Sequence, residues 1–463
     1  MQAARWSSQA GFLLATVGAA VGLGNIWRFS AVVGQNGGGA YLIPYLIAAF
    51  LCAVPMLILE LSIGRRLRTD VVSAFRSVKV EYTPLGWLIL GGVLLILSYY
   101  LVLTGWVLGF FLSWLAGSQT TFESFTASWL PIGYFVVATV VTGGVVSMGV
   151  RGGIERMAKV VMPTVFALLI ALALYAVTLA EWDRAAVFLF TPDFSVLTDL
   201  GIWSAAFGQV FFSLSVGQGI MLTYGSYVEE GADLFKSSFV ITIADIAAAL
   251  VAGLVIFPIV FSFGLQPTLG TELAFTTLPT AFATMPFGRI VAVGFFGLLF
   301  FAALSSAVAL LEVGVAAAES TTRLSRPRAT LFLTGGVFVA GIPSALSYSP
   351  INLAVAGRPI LDLVDESVGT FALPISALLI VFVFVWATDI ETVHEELGQF
   401  YPVVRYLIPV VLVVITTART VGIARPAWRL IVDHTRNGPL GLLVTAVLLL
   451  AFAILGWELR DRL

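Results

Sequence analysis

Long apolar runs, separated by short polar connections, make up almost the whole chain. A helix that crosses a membrane needs about 20 mainly apolar residues, and twelve runs reach that length. The predicted spans are 10–33, 39–63, 86–116, 130–149, 160–180, 201–226, 237–263, 288–318, 329–347, 367–388, 402–421 and 439–457. The pattern therefore predicts an all-α, multi-pass membrane protein.

Composition supports this class and excludes several others. Hydrophobic residues are 59% of the chain and charged residues only 11%, against about 25% charged in a soluble domain. We therefore expect a lipid bilayer around the protein, and a net charge of −2 gives no reason to expect a nucleic acid. A single cysteine, Cys52, excludes an internal disulfide. The two histidines, His394 and His434, lie in polar connections, and no His, Cys and carboxylate cluster falls within the spans. An enzyme is thus not expected.

The polar connections also predict an orientation. Lys and Arg concentrate in "GRRLRTD", "MGVRGGIERMAK" and "TRLSRPR". The positive-inside rule therefore places these joints and both termini in the cytoplasm, with the chain in the plasma membrane. The joint between the last two spans breaks the rule, because it carries Arg419, Arg425, Arg429 and Arg436. The first apolar run continues for about 20 residues without a cleavage pattern, which predicts a retained span.

Two spans contain residues that interrupt a helix. The first carries "GAAVGLGN" (18–25) and the sixth carries "SLSVGQG" (213–219), and glycine is a poor helix former. If 1–181 and 201–388 are two five-helix halves of one domain, followed by two helices in 389–463, the breaks fall at matching positions. Such matching breaks are typical of the midplane site of a secondary transporter. Close helix packing is the alternative use of these glycines.

Five motifs carry a family resemblance: "RWSSQAGFLLATVGAAVGLGNIWRFS", "NGGGAYLIPY", "GQVFFSLSVGQG", "TYGSY" and "FFAALSSAVALLE". Together they resemble the neurotransmitter:sodium symporter family, and most of all its bacterial amino-acid transporters. The resemblance implies the LeuT-type fold, with twelve transmembrane helices, a 5+5 inverted repeat, and helices 1 and 6 unwound. It further implies sodium-coupled symport of a neutral amino acid by alternating access.

The resemblance implies two sodium sites. The residues of the first site are Ala20, Asn25, Ser213 and Asp245, and those of the second are Gly18, Val21, Ala302, Ser305 and Ser306. Unwound carbonyls, an amide and hydroxyls are the oxygen ligands that these sites would use. Serine hydroxyls in membrane helices also bond back to their own helix, which is the alternative for the pair on span eight.

The implied substrate site lies between the two breaks. Its residues are Ala19, Ala20, Leu23, Gly24, Ile96, Tyr100, Phe212, Ser213, Ser215, Gln218, Ser306 and Leu310, and Ala307 is a further candidate for the side-chain subsite. Gly22 stands where the monoamine carriers of the family have an aspartate, so the sequence is similar to an amino-acid carrier. Gln218 either accepts a polar substrate group or bonds the unwound backbone.

The resemblance also implies gates. Arg28 and Asp365 match the outer gate pair, with Gln209 nearby and Phe212 as a lid, whereas Trp6 and Tyr227 belong to the inner gate. The usual aspartate at the end of span eight is replaced by Ser320, so an altered inner gate, such as Arg5 with Glu319, is one interpretation.

Asp245 departs from the family pattern as well. The family normally has asparagine there and, one turn later, an acid or the serine of chloride-dependent members; this chain has Ala249. We therefore predict that transport requires no chloride, while the resemblance implies two sodium ions. A non-transporting sensor and a proton-coupled carrier of the same fold remain alternatives. The expected partners are a small amino acid and the bilayer, with the protein a monomer or loose dimer.

Overall fold

Helices dominate the part of the chain that the structure describes. The computed structural model describes residues 5–192, 194, 200–265, 272–322, 324–388 and 391–417. The first nine helices are α1 Gln9–Ala20, α2 Gly24–Gln35, α3 Gly39–Leu67, α4 Val71–Val78, α5 Val80–Ala116, α6 Phe122–Thr126, α7 Leu130–Ser147, α8 Val150–Ala176 and α9 Trp182–Phe190. The next nine are α10 Leu200–Ser213, α11 Ile220–Gly225, α12 Leu234–Ser262, α13 Leu278–Thr284, α14 Gly288–Thr321, α15 Arg326–Ser347, α16 Ile360–Trp386, α17 Val393–Phe400 and α18 Val403–Thr417. Ala354–Val355 and Arg358–Pro359 pair as a short antiparallel hairpin.

Most predicted spans coincide with a helix to within a few residues. Among the described residues, eight helices are long and apolar enough to cross a membrane, or ten if two bent pairs count as one span each. The predicted span 439–457 and the arginine-rich joint before it lie outside the described residues, and the helix at 402–421 is described to Thr417.

Three predicted span starts are wrong. The span predicted at 86–116 begins at Val80, the one predicted at 160–180 begins at Val150, and the one predicted at 367–388 begins at Ile360. The charged joint before 160 is helical because its buried carboxylate has partners. Glu155 accepts a hydrogen bond from the Ser7 backbone N–H (2.8 Å) and pairs with Lys159 (2.7 Å). A prediction from the density of charged residues alone therefore started this helix too far along the chain.

The first helix is broken at its glycines. α1 ends at Ala20, Val21 has an extended backbone (ψ 98°), and α2 restarts at Gly24 after a bend of 55°. The break leaves backbone groups without helical partners, and a neighbouring side chain takes one of them. The side-chain amide oxygen (Oδ1) of Asn25 accepts a hydrogen bond from the Gly22 backbone N–H at 2.9 Å.

The sixth span is broken between α10 and α11. Ser215, Gly217 and Gly219 all have positive φ angles of 54°, 81° and 69°. Glycine adopts this region without steric cost, whereas Ser215 is held there under strain. The Gly217 N–H donates to the Glu60 carboxylate of α3 at 2.7 Å, so a buried carboxylate satisfies the unwound backbone.

Burial separates central helices from peripheral ones. The most apolar stretches of α3, α5 and α14 are each 72% buried, whereas those of α8 and α15 are 33% buried. α1 packs against α8, α12 and α14, so its break lies inside the bundle. The described residues up to Ile415 form one compact unit.

Candidate binding site at the helix breaks

A small cavity lies where the two breaks meet. Its volume is about 30 Å³, room for water-sized molecules only. The lining residues are Ala19, Ala20, Gly22, Gly24, Asn25, Ile96, Tyr100, Phe212, Ser213, Ser215, Gln218, Ile220, Ser306 and Leu310. The structure thus brings together every predicted substrate residue except Leu23, which lines a second, larger cavity. Ala307 is buried but does not line the small cavity.

Asn25, Ser213 and Asp245 form a buried polar cluster beside this cavity. The Asn25 amide nitrogen donates to the Ser213 hydroxyl (2.7 Å) and to the Asp245 carboxylate (2.6 Å). Ser213 lies 3.0 Å from both carboxylate oxygens of Asp245. All three side chains are at most 2% exposed. A buried carboxylate whose hydrogen-bond partners are neutral is costly unless a cation or a proton neutralises it, and its oxygen-rich surroundings suit a hard cation such as sodium.

A second set of oxygens joins α1 to α14. The Ser305 hydroxyl lies 2.7 Å from the Gly18 carbonyl and 2.9 Å from the Ala302 carbonyl. The Ser306 hydroxyl lies 3.5 Å from the Gly18 carbonyl and 3.3 Å from that of Ala302. Both serines therefore bond back to their own helix and also reach across to α1. Val21, the remaining residue of the predicted second sodium site, is buried at the end of α1, shortly after Gly18 in sequence.

The corner at Gly22 is tightly packed with hydroxyl groups. A Cβ atom at Gly22 would lie 2.6 Å from the Ser306 hydroxyl oxygen and 3.0 Å from the Tyr100 hydroxyl oxygen. The Tyr100 hydroxyl accepts a hydrogen bond from the Leu23 N–H at 3.4 Å. A side chain longer than hydrogen does not fit here unless Ser306 or Tyr100 moves.

Phe212, with Gly24 and Tyr100, lines both the small cavity and a larger one of about 520 Å³. Arg28, Tyr99, Glu272, Asp362 and Asp365 contribute polar groups to the larger cavity. The Arg28 guanidinium stacks over the Phe212 ring at 4.3 Å from its centroid, and no ion pair joins Arg28 to Asp365 among the described residues. The predicted outer gate residues thus line one cavity, and their pairing stays a prediction. Gln209 bonds the Gly24 carbonyl at 2.8 Å.

Trp6, predicted to belong to the inner gate, packs against Tyr224 and Tyr227, which follow the break in the sixth span. Its indole N–H donates to the Tyr224 carbonyl (3.1 Å), its backbone N–H donates to the Tyr227 carbonyl (3.2 Å), and it is 3% exposed. The Tyr227 hydroxyl donates to Glu312 of α14 at 2.7 Å.

Comparison with known proteins identifies the family. The sequence model of the Sodium:neurotransmitter symporter family matches residues 3–131 and 131–424. The uncharacterized sodium-dependent transporter YhdH of Bacillus subtilis is 36% identical over 391 residues, which are 81% of this chain and 86% of that protein. An uncharacterized sodium-dependent transporter of Haemophilus influenzae is 32% identical over 443 residues, covering 89% and 96% of the two chains. This chain belongs to the sodium:neurotransmitter symporter family.

A solved member of similar architecture confirms the fold. The crystal structure of MhsT in complex with L-phenylalanine superposes with a TM-score of 0.82 and 37% sequence identity, over 89% of this chain and 98% of that one. The predicted LeuT-type fold with helices 1 and 6 unwound is therefore confirmed. The chain is a multi-pass membrane protein of a sodium-dependent symporter family, which is a family of transporters.

Arg5 and Glu319, suggested as an altered inner gate, do not pair with each other in the structure. Glu319 pairs instead with Arg326 at 3.0 Å, and the backbone carbonyl of Arg5 accepts from Arg151 at 2.8 Å. Arg326 also pairs with the fully buried Glu312. The guanidinium of Arg326, at the start of α15, thus pairs with two acids of α14, and Arg5 has no role in this pairing.

Two residues that shape the site escaped the sequence analysis. Ile220 lines the small cavity, yet in sequence it is one more apolar residue at a helix start. Glu60 accepts a hydrogen bond from the backbone N–H of Gly217 in the helix-6 break, although 157 positions separate the two residues. Its only sequence signal is that it is an acid inside an apolar span, and such acids are usually functional or paired.

Proposed function

We propose that this protein couples sodium entry to the uptake of a neutral, zwitterionic α-amino acid by alternating access. The observation that carries the proposal is the position of the two oxygen clusters at the helix breaks. Asn25 and Ser213 belong to the first cluster and also line the small cavity, and Ser306 of the second cluster lines it too. Ions bound at these clusters would touch the same residues as the substrate, which is the basis of coupling.

The Gly22 corner supports an amino acid rather than an amine. The absence of a side chain at Gly22 leaves no carboxylate there for a substrate amine. The Tyr100 hydroxyl and the unwound backbone near Leu23 can donate to a substrate carboxylate. A substrate that carries its own carboxylate supplies the negative charge that this corner lacks. MhsT was crystallised with L-phenylalanine, which is in keeping with this class.

Alternating access requires the two sides of the cavity to open in turn. We propose that 1–181 and 201–388 act as the two halves, that two sodium ions bind, and that both termini face the cytoplasm of a cell whose plasma membrane holds the protein. Trp6 and the Tyr227–Glu312 bond close one side. An amino acid exceeds about 30 Å³, so Phe212 and the Arg28 stacked on it must move to admit it from the other side.

The test is uptake into proteoliposomes that contain the purified full chain. An inward sodium gradient should drive accumulation of at least one radiolabelled neutral amino acid, and a potassium gradient of equal size should not. The decarboxylated amine of that amino acid should fail to compete. Uptake that ignores sodium, or an amine that competes as well as its parent amino acid, would contradict the proposal.

A further inference from the structure

The Gln218 side chain has an unusual environment for a buried amide. It is 4% exposed, lines the small cavity, and forms no hydrogen bond with any residue that the structure describes. A glutamine amide offers two N–H donors and a carbonyl acceptor, and burying it unpaired is unfavourable. Gln209, which lies six residues before Ser215 of the helix-6 break, is different: its side-chain amide N–H donates a hydrogen bond to the Gly24 carbonyl at 2.8 Å. Gln218 is therefore aimed at the cavity rather than at a protein partner.

The unwound backbone does not account for Gln218. The Gly217 N–H already donates to Glu60 at 2.7 Å, and the Ser215 hydroxyl bonds the Ala19 carbonyl of the other break at 3.0 Å. Another side chain thus satisfies the freed N–H beside Gln218, and among the described residues the Gln218 amide makes no hydrogen bond to the unwound backbone.

The wall around the cavity changes from polar to apolar over one helical turn. On α5, Ile96 lies one turn before Tyr100, and on α14, Leu310 lies one turn after Ser306. The two helices are antiparallel, since a Cβ at Gly297 would contact Phe111 and a Cβ at Gly314 would contact Leu94. Ile96 and Leu310 therefore lie on the same side of the cavity, and Tyr100 and Ser306 on the other.

We propose that Gln218 selects amino acids whose side chains carry a neutral hydrogen-bonding group, an amide or a hydroxyl, over apolar side chains of the same shape. The inference rests on the proposed function, because it assigns the Tyr100 side of the cavity to the substrate backbone. On the apolar side, Gln218 then supplies the polar partner among Ile96, Ile220 and Leu310. A charged side chain would be buried among these neutral groups without a counter-charge, which is costly.

Isosteric substrate pairs test the selection directly. We suggest measuring sodium-dependent binding to the purified full chain for glutamine against methionine, asparagine against leucine, and threonine against valine. We expect the polar member of at least one pair to bind about tenfold more tightly, since one or two neutral hydrogen bonds distinguish the members. In Gln218→Met, that preference should disappear or reverse. In the control Leu310→Val, which reshapes the same wall, the affinities of both members should change together.

The outcomes separate this inference from the proposed function. If the apolar member of every pair binds wild-type protein as tightly as the polar one, or if Gln218→Met keeps the polar preference, the inference is overturned while amino-acid transport stands. If none of the six amino acids binds in sodium but another neutral amino acid does, the inference is overturned; if no neutral amino acid binds in sodium, the proposed function itself fails. Should Gln218→Met be unstable, the wild-type pairs alone decide the matter, because they need no variant.

Discussion

The Glu60 carboxylate of α3 accepts a hydrogen bond from the Gly217 backbone N–H at 2.7 Å, in the middle of the broken sixth span. Glu60 is fully buried, and Gly217 has a φ of 81° with its neighbours Leu373 and Ala377 within about 3 Å of any added Cβ. In a membrane interior, irregular backbone persists only where the protein satisfies its polar groups. Glu60 thus holds open the break on which the cavity depends.

Removing this acceptor should destabilise the protein. Glu60→Leu leaves the Gly217 N–H unpaired, which costs about 1–3 kcal/mol, whereas Glu60→Gln keeps a carbonyl acceptor and should cost about 1 kcal/mol or less. Thermal unfolding of the detergent-solubilised protein measures the difference as a lower midpoint for Glu60→Leu. Equal midpoints for the two variants would show that the bond does not support the break.

Substituting a proposed sodium ligand should weaken sodium binding, whereas substituting an ordinary buried polar group should not. Asn25→Ala and Ser306→Ala each remove an oxygen from a cluster at a helix break, and each should weaken sodium affinity by about tenfold or more, since even groups behind a metal ligand have effects of that size. The measurement is substrate binding as a function of sodium concentration. Unchanged sodium dependence in both variants would contradict the assignment of Asn25 and Ser306 as sodium ligands.

Ser62→Ala is the matched control for this experiment. The Ser62 hydroxyl is 1% exposed and bonds the Leu59 carbonyl of its own helix at 2.8 Å. Its loss should change stability slightly and sodium affinity not at all. A control that weakens sodium binding as much as Ser306→Ala would show that general packing, and not ligation, is being measured.

The helix breaks were predictable because their cause is local. Gly18, Gly22 and Gly24 weaken a helix wherever they occur, and an apolar run of 20 residues leaves few alternatives to a span. Residue positions in the family motifs then predicted that Asn25, Ser213 and Asp245 would meet, although 188 positions separate Asn25 from Ser213. The motifs supplied that information, and the local pattern did not.

The misses share a physical reason: they depend on partners distant in sequence. Glu60 and Gly217 meet only after α3 packs against the sixth span, and no periodicity records that contact. The predicted start at 160 was wrong, and the helix begins at Val150, because Glu155 is neutralised by Lys159 and bonded to Ser7, so its charge does not end the helix. Arg326, placed in a polar joint, instead neutralises the buried Glu312.

The Tyr227–Glu312 bond should keep the Trp6 side closed. Tyr227→Phe removes a hydroxyl that donates to Glu312 at 2.7 Å, and one such bond shifts an equilibrium about three- to tenfold. The readout is maleimide labelling of a Thr16→Cys variant, since Thr16 is fully buried on α1 and Cys52, the native cysteine, is buried too. Labelling should be faster when Tyr227→Phe is added.

Tyr175→Phe provides the control for that measurement. It deletes a hydroxyl that bonds the Pro286 carbonyl at 2.7 Å, far along the chain from Trp6 and Tyr227. Labelling of Thr16→Cys should be unaffected by it. If Tyr227→Phe leaves the labelling rate at the value of this control, the hydroxyl is not what closes the inner side.

Chloride dependence follows from where the negative charge lies. Asp245 is 1% exposed and bonded to Asn25 and Ser213, and Ala249, one turn later on α12, is fully buried and offers no group for an anion. A fixed carboxylate in the cluster can offset a sodium ion by itself. We therefore expect wild-type uptake to persist when chloride is replaced by gluconate, and Asp245→Asn to lower uptake at least about tenfold, as loss of a ligand does.

In a variant that lacks the Asp245 carboxylate, a chloride ion bound from solution should supply the missing negative charge and restore transport. Adding Ala249→Ser to Asp245→Asn supplies a hydroxyl donor one turn from the neutral asparagine, where a chloride ion can replace the missing carboxylate. Any activity that returns in the double variant should rise with chloride concentration, while wild-type activity stays flat in the same series. Wild-type uptake that collapses in gluconate would mean that Asp245 does not supply the compensating charge, because the protein would then be taking that charge from the medium.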